Sequence, residues 1–256
     1  MKSINRSALS IAVTLLVSVT AAQAQVVRID EAAFNAQAGL ITFSEKALGS
    51  VNPVYTAAEY GGSVGAPTVS FGGFFTGQSL GTALTCPTGA AVTGCVNGLP
   101  TGVLSLSGLS PLTSIVSDSA NPTSPVLSGT PLFNGPVSIL FDRDMAGVGL
   151  DGGYFDSIGG TAITAFARDG SVIGSVSNTT TGIEFLGLVT ADGSQRIAGL
   201  QYTLVGAEPA GFAIDNLRFG LAGQVVVPVP EPESYAMMVA GLGVLGMVAR
   251  RRRRQG

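Results

Sequence analysis

The second half of the chain is a regular succession of short alternating segments separated by turn residues. From residue 136 onward apolar and polar side chains alternate, and Asp169-Gly170 stands between two of these segments. Asp-Gly favours the tight turn that joins two antiparallel strands, and Asp192-Gly193 is expected to close a second hairpin. The pattern predicts strands at residues 137–141, 145–150, 161–168, 171–177, 182–189, 197–205 and 211–219.

These segments indicate an all-β fold, an antiparallel β-sandwich or jelly roll, because strands recurring every ~8–12 residues are typical of such folds. Residues 40–43 and 68–75 predict two earlier strands. Asp30 is expected to cap a short helix at residues 31–38, which Gly39 would end. Residues 77–135 are rich in Gly, Pro, Ser and Thr and predict a long irregular insertion, with strands near 102–106 and 113–117.

The chain ends in three successive parts: a proline-rich motif, an uncharged span at residues 235–249 and five arginines. Pro230 and Pro232 fix φ and lack a backbone N–H, so the motif is expected to be extended and to present Glu231. As a helix the span would be about 22 Å long, which predicts a short transmembrane helix stopped on the cytoplasmic side by the basic residues. The stop-transfer residues are Arg250, Arg251, Arg252, Arg253 and Arg254.

This arrangement resembles the PEP-CTERM sorting signal of Gram-negative bacteria. The resemblance rests on Pro230, Glu231 and Pro232, the Gly-Leu-Gly at residues 241–243 and the terminal arginines. It implies that exosortase, a membrane-embedded cysteine-type transpeptidase or protease, cuts near the Pro-Glu-Pro motif. It also implies an exported cell-surface or extracellular protein linked to exopolysaccharide and biofilm. A single-pass anchor that is never processed is the alternative.

The first 24 residues predict a secretory signal peptide. Lys2 and Arg6 precede an apolar helix-forming segment at residues 8–19, and Ala22-Gln23-Ala24 has the small-residue pattern of a cleavage site. Signal peptidase would cut between Ala24 and Gln25 after transfer by the Sec machinery. We therefore predict three regions: a signal peptide at 1–24, a β-sandwich domain at 25–226 and a sorting signal at 227–256. The chain would pass through a transient single-pass inner-membrane intermediate before it reaches the surface.

The predicted exported body is acidic. Between Gln25 and Val229 there are six basic and fourteen acidic side chains, a net charge of −8. A surface of this sign does not attract nucleic acid or anionic lipid, so neither is expected as a partner of the body.

Cys86 and Cys95 are the two cysteines of the chain. In an oxidising compartment they predict a disulfide that closes a short loop and stabilises the fold by about 2–3 kcal/mol. A metal or redox role is disfavoured, because the chain has no histidine and the spacing is not Cys-x-x-Cys.

Asp215 and Asn216 lie in the middle of an otherwise apolar segment, residues 211–219. The segment resembles the closing strand of jelly-roll domains of the carbohydrate-binding-module and lectin-like kind. That resemblance implies a structural calcium ion shared by Glu45 and Asp215, with backbone carbonyls as further ligands. In the alternative interpretation Asp215 caps a bulge or pairs with Arg218.

The absence of histidine excludes Ser-His-Asp and Cys-His catalysis. A glycosidase-like pair of carboxylates would have to come from residues such as Asp151, Asp156 and Glu184. The aspartates at 142, 144, 151 and 156 are interpreted as solvated turn residues. We expect a non-catalytic matrix or surface protein, with polysaccharide as a candidate partner. The alternatives are a carbohydrate-binding module with a defined glycan, for which the chain offers no Trp, and a glycosidase-like enzyme.

Overall fold

The structure, a computed structural model, is built of antiparallel strands joined by turns. It describes residues 26–63, 65–209 and 212–228, together with residues 238, 241–243 and 245, which are helical. Between residues 26 and 228 the helical structure described is one 3-10 turn, Glu31–Ala33. The strands are β1 (Val26–Ile29), β2 (Gly39–Ile41), β3 (Val54–Tyr55), β4 (Val69–Gly72), β5 (Ser79–Leu80), β6 (Val96–Asn97), β7 (Thr113–Val116), β8 (Val126–Gly129), β9 (Val137–Met145), β10 (Gly147–Phe155), β11 (Thr161–Phe166), β12 (Val172–Ser177), β13 (Gly182–Thr190), β14 (Ile197–Leu204) and β15 (Ala213–Gly220).

Two large antiparallel sheets and one small hairpin contain these strands. The first sheet has the order β1-β13-β10-β15-β8-β7, and β2 also pairs with β15. The second sheet has the order β12-β11-β14-β9-β4-β3, and β5 pairs with β6 by itself. Neighbours in the sheets are often distant in sequence, so the chain crosses repeatedly from one sheet to the other.

Apolar side chains of both large sheets form one core between them. Val148 and Leu150 of β10 and Ile139 of β9 are fully buried. The rings of Phe141 and Phe219 meet across the two sheets with 5.4 Å between their centroids. Burying a side chain of this size stabilises the fold by about 1.5–3 kcal/mol. The all-β antiparallel class is therefore confirmed, while the jelly-roll strand order stays a prediction.

The two Asp-Gly turns have different roles. Asp169-Gly170 closes the β11–β12 hairpin, which confirms that prediction. Its Gly170 has a φ of 85°, a conformation that glycine adopts without strain. Asp192-Gly193 instead joins β13 in the first sheet to β14 in the second, so the prediction of a second hairpin is wrong. Asp-Gly specifies the local turn, whereas strand pairing depends on which face each strand buries.

The turn predicted after residue 141 is replaced by a continuous strand. β9 extends to Met145, and its register shift against β14 sets residues 141–144 opposite Ala198. Asp142 accepts a hydrogen bond from the Thr68 N–H at 2.9 Å, and Asp144 pairs with Arg168. Their interpretation as turn residues is therefore wrong, because partners on neighbouring segments hold them in a bulged strand. Asp151 likewise lies within β10 rather than in a turn.

The insertion at residues 77–135 is less irregular than predicted. The strand expected near 113–117 is confirmed as β7, and β8 adds a buried strand that pairs with β15 through Leu127 and Ile214. Residues 102–106 contribute an isolated bridge between Leu106 and Phe75 instead of a strand. β8 was not predicted, because Val126 and Leu127 are adjacent and are followed directly by Ser128 and Gly129. The segment therefore shows no alternation of apolar and polar residues.

The helix predicted at residues 31–38 is shortened to the 3-10 turn. None of its three residues is buried, and the Asp30 side chain makes no capping hydrogen bond. The chain leaves the helical path at Phe34, which adopts an extended backbone with a φ of −86° and a ψ of 127° and packs against Val225, so the turn is not continued into a helix. Gly39, expected to end the helix, begins β2, where a Cβ would lie 2.2 Å from Cε2 of Phe219. Glycine at this position allows the backbone of β2 to pass over that ring.

We expect Phe219→Ala to lower the free energy of unfolding by about 3–5 kcal/mol, because it removes a fully buried ring that contacts Phe141 and Tyr60. Leu109→Ala is the control: Leu109 is 92% exposed, and its truncation is expected to change stability by less than about 0.5 kcal/mol. Urea denaturation of both variants measures the difference, and equal effects would contradict the assignment of the core.

Candidate functional site

Two carboxylates face each other on the outer side of the first sheet. Asp151 of β10 and Asp215 of β15 are register partners, and a register shift between Gly149 and Asp151 marks a bulge beside them. Asn216, in the bulge, has a φ of 47°. Asparagine tolerates this left-handed conformation better than most residues. The bulge thus brings two acidic side chains and an amide together on one face.

Asp215 is held by hydrogen bonds from three residues. It accepts from Asn121 Nδ2 at 3.1 Å, from the Thr123 hydroxyl, and from the backbone N–H of Asn216 at 2.7 Å. The Asn216 side chain in turn donates to Asp151 Oδ2 at 2.8 Å. Asp215 therefore caps the bulge, in line with the first part of the alternative interpretation. Arg218 pairs with Glu31 instead of Asp215.

Burial favours the protonated forms of both groups, and a nearby negative charge, from Glu31 at Asp151 and from Asp151 at Asp215, adds to this effect. Asp215 is 1% exposed, and this desolvation raises its pKa, with a further increase from the charge of Asp151. Desolvation likewise raises the pKa of Asp151. Hydrogen bonds from Asn121, Thr123 and Asn216 oppose these shifts without cancelling them. Ionisation of both groups therefore lowers the stability of the folded state.

The space beside this pair is small. Asp151, Asp215, Asn121 and Tyr154 border a cavity of ≈ 10 Å³. A volume of that order holds about one water molecule. A sugar ring does not fit inside it, so a glycan could meet these groups only at the surface, where Tyr154 is 51% exposed.

Glu45, the other predicted calcium ligand, has protein donors of its own. It accepts hydrogen bonds from the Thr42 backbone N–H and hydroxyl, both at 2.9 Å, and shares no partner with Asp215. Within the ranges described, no group of three or more acidic or cysteine side chains is arranged to hold a metal ion. The predicted calcium ion gains no support from this geometry and stays a prediction.

The three carboxylates of the glycosidase-like alternative do not form a facing pair. Glu184 is the register partner of Gly152, next to Asp151, and successive residues of a strand point to opposite faces. Glu184 therefore lies on the other face from Asp151, where it pairs with Arg28. Asp156 is exposed, and its backbone N–H donates to the carboxylate of Glu208 at 3.1 Å.

Three residues of these networks were not singled out from the sequence. Asn121 and Thr123 lie in the insertion, more than ninety residues before their partner Asp215. Glu208 is completely buried between β14 and β15, and this burial raises its pKa. The position of Glu208 close to an apolar strand could have indicated a buried carboxylate. No local pattern indicated a role for Asn121 or Thr123.

Cys86 and Cys95 form a disulfide in the loop between β5 and β6, with 5.9 Å between their Cα atoms. Cys95 is 3% exposed and belongs to the main core. The bond therefore ties the loop to the end of the sheets where the Gly94 carbonyl accepts from the Leu204 N–H.

Residues 221–228, here called the C-terminal strap, lie against the N-terminal part of the body. The backbone N–H of Val226 donates to the Ala33 carbonyl at 2.9 Å, and that of Asn35 donates to the Gln224 carbonyl at 3.0 Å. Val225 is 7% exposed and packs with Phe34 in a second apolar cluster. The strap therefore packs against the body up to the start of the proline-rich motif.

Both ends of the body leave it beside the turn between β13 and β14. Val26 is the register partner of Thr190, the last residue of β13. A Cβ on Gly193 would lie 3.1 Å from the Val227 side chain. The first strand and the strap thus emerge at the same end of the sheets.

The comparison with family models concerns the segment that follows this body. Residues 228–254 match the PEP-CTERM protein-sorting motif. The match supports an exported protein, sorted to the cell surface, that exosortase processes. No curated protein matches the chain.

Several predicted features lie outside the described residues. They are the signal peptide with its Ala24–Gln25 cleavage site, the motif Pro230-Glu231-Pro232, and the arginines at 250–254. Of the predicted transmembrane segment, residues 238, 241–243 and 245 are described and helical. Within the part of the chain that the structure describes, no helix has the length and apolar character needed to span a membrane.

The raised pKa values of Asp151 and Asp215 predict a pH-dependent effect of Asp151→Asn. Because the folded state holds these protons more tightly than the unfolded chain, the stability they contribute is present at about pH 4 and below. It is lost as pH rises through their folded pKa values. Asparagine removes one charge and keeps an oxygen for Asn216. We expect the variant to be more stable than wild type by up to about 1 kcal/mol at neutral pH, and to lose that advantage in acid.

Asp169→Asn is a control of opposite sign. Hydrogen bonds from Ser171 lower the pKa of Asp169, so its contribution is present at neutral pH and lost as pH falls through the folded pKa. This variant should be less stable than wild type at neutral pH and approach it in acid. Thermal melts at several pH values measure both differences. An Asp151→Asn difference that does not vary with pH would show that the pair is not coupled to folding.

Proposed function

We propose that the protein is a non-catalytic component of the cell surface or extracellular matrix, associated with exopolysaccharide. The observation that carries the proposal is the sorting motif at residues 228–254, which follows directly on a folded all-β body. The signal peptide predicted at the opposite end of the chain agrees with this route. In the proposed sequence of events, the chain spans the inner membrane once until exosortase removes the C-terminal segment.

The described body offers little that favours a catalytic role over a structural one. Asp151 and Glu184 lie on opposite faces of a sheet, and the cavity beside Asp151 and Asp215 is about the size of one water molecule. The acidic body, with few charged side chains overall, is suited to remain soluble among hydrated polymers. These observations support the proposal of a matrix protein.

A carbohydrate-binding module with a defined glycan is the second candidate, and one observation favours it. Tyr154 is the one tyrosine of the described residues that is more than half exposed, and it stands beside Asp151 and Asn121. An exposed ring next to hydrogen-bonding groups is a usual element of sugar recognition. The other tyrosines of the body are buried or partly buried.

Processing is tested by intact mass of the chain in membrane and extracellular fractions. We expect the extracellular form to lack the residues before Gln25 and the arginines at 250–254. Glu231→Ala is expected to leave the full C-terminus in place and to retain at least ten times more protein in the membrane fraction. Glu233→Ala, one residue beyond the Pro-Glu-Pro motif, is the matched control. Normal processing of Glu231→Ala would rule out the sorting motif as the signal that is used.

Association with the matrix is tested in a strain that makes no exopolysaccharide. We expect the mature protein to move from the matrix fraction into the medium by at least tenfold, whereas its processing stays unchanged. Isothermal titration of the body with purified exopolysaccharide separates the two candidates. A saturable isotherm that Tyr154→Ala weakens by tenfold or more would favour the defined-ligand module, and an unchanged distribution in the deficient strain would contradict matrix association.

A further inference from the structure

The strap holds the sorting motif close to the body. Its Val225 side chain is buried against Phe34, and Asn35 donates both its backbone and its side-chain N–H groups to carbonyls of the strap. The last of these contacts, from the Val226 N–H to the Ala33 carbonyl, lies four residues before Pro230. The free length between the folded body and the motif is therefore very short.

This length sets an upper limit on how far the body can stand from the enzyme that cuts the motif. Four residues span at most about 14 Å when fully extended. A folded body of about 200 residues is roughly 40 Å across. The connection is much shorter than the body is wide. A protease whose cleft holds Pro230 and Glu231 must therefore come close to the body.

The surface around the exit of the chain is therefore the part of the body that lies nearest to the motif. We call it the exit face and define it by the exposed residues Asp30, Ala32, Asp192 and Val226. An open groove of ≈ 340 Å³ beside the strap includes Ile29, Ala32, Ala33 and Val226 among its lining residues. Arg28 and Asp30 also line the groove, which lies where the chain leaves the fold.

We propose that the exit face is in direct contact with exosortase while the C-terminal segment is cut. This inference rests on the proposed function, and it adds that the enzyme meets a folded surface as well as a linear motif. The strap stays bound to the body during the reaction, so the shape of the exit face limits access of the motif to the cleft.

The test places bulk on the exit face and at the opposite end of the body. Ala32 is exposed in the 3-10 turn, and Ala83 is exposed in the loop between β5 and β6. The two ends are separated by the length of β14, eight residues, or about 23 Å. In a pulse-chase of the full chain in its own host, we expect Ala32→Trp to slow C-terminal processing at least tenfold. Ala83→Trp should stay within twofold of wild type.

A longer connection distinguishes steric contact from a folding defect. Twelve Gly/Ser residues inserted between Val227 and Pro228 add roughly 19 Å of average reach. With this insertion, Ala32→Trp is expected to be processed within twofold of the insertion alone. Processing of Ala32→Trp at the wild-type rate, or a slow rate that the insertion does not restore, would overturn the proposal. Thermal melts of the two variants confirm that both retain the fold.

A photo-crosslinking residue at position 32 identifies what the exit face touches. We expect a crosslink to exosortase in the chain whose sorting motif is otherwise unchanged. Crosslinks to lipid alone would show that the face rests on the bilayer and would overturn the proposal. Rapid processing of Glu231→Ala would instead contradict the proposed function, independently of the results at Ala32.

Discussion

The bulge in β15 is the constraint on which most of this fold depends. β15 pairs with β10, β8 and β2, so its path determines the arrangement of the first sheet. Ile214 and Leu217 are three residues apart and both fully buried, which strict alternation does not allow. The bulge adds one residue to β15, so that the Leu217 side chain points into the core again. Asn216 adopts the left-handed backbone conformation that the bulge requires. Asp215 is consequently placed against Asp151 on the outer face.

Local patterns predicted the strands of the second half and the β11–β12 hairpin, because alternation and Asp-Gly act within a few residues. They failed where partners are distant in sequence. β8 has too few apolar residues to be distinctive and is stabilised by pairing with β7 and β15. Asn121 reaches Asp215 from an insertion that showed no periodicity. Asp192-Gly193 specified a turn correctly but not the sheet that the next strand joins.

Most of the charged side chains of the body are paired or hydrogen-bonded. Arg28, Lys46, Arg168 and Arg218 each form an ion pair, and these pairs are partly exposed, so each contributes about 0–1 kcal/mol. Asp151 and Asp215 are held by amide and hydroxyl donors instead, and neither forms an ion pair within the described residues. Stability therefore comes mainly from the shared core and the disulfide.

The common exit of the first strand and the strap has a consequence for the connectivity of the fold. Cross-strand spacing and the width of the β13–β14 turn place Val26 and Val227 within about 20 Å of each other. A peptide of about ten residues would join them without crossing either sheet, and a new opening in another loop would leave the core intact. The fold is thus compatible with circular permutation, in which the same strands keep their places in the sheets although the chain begins at a different loop.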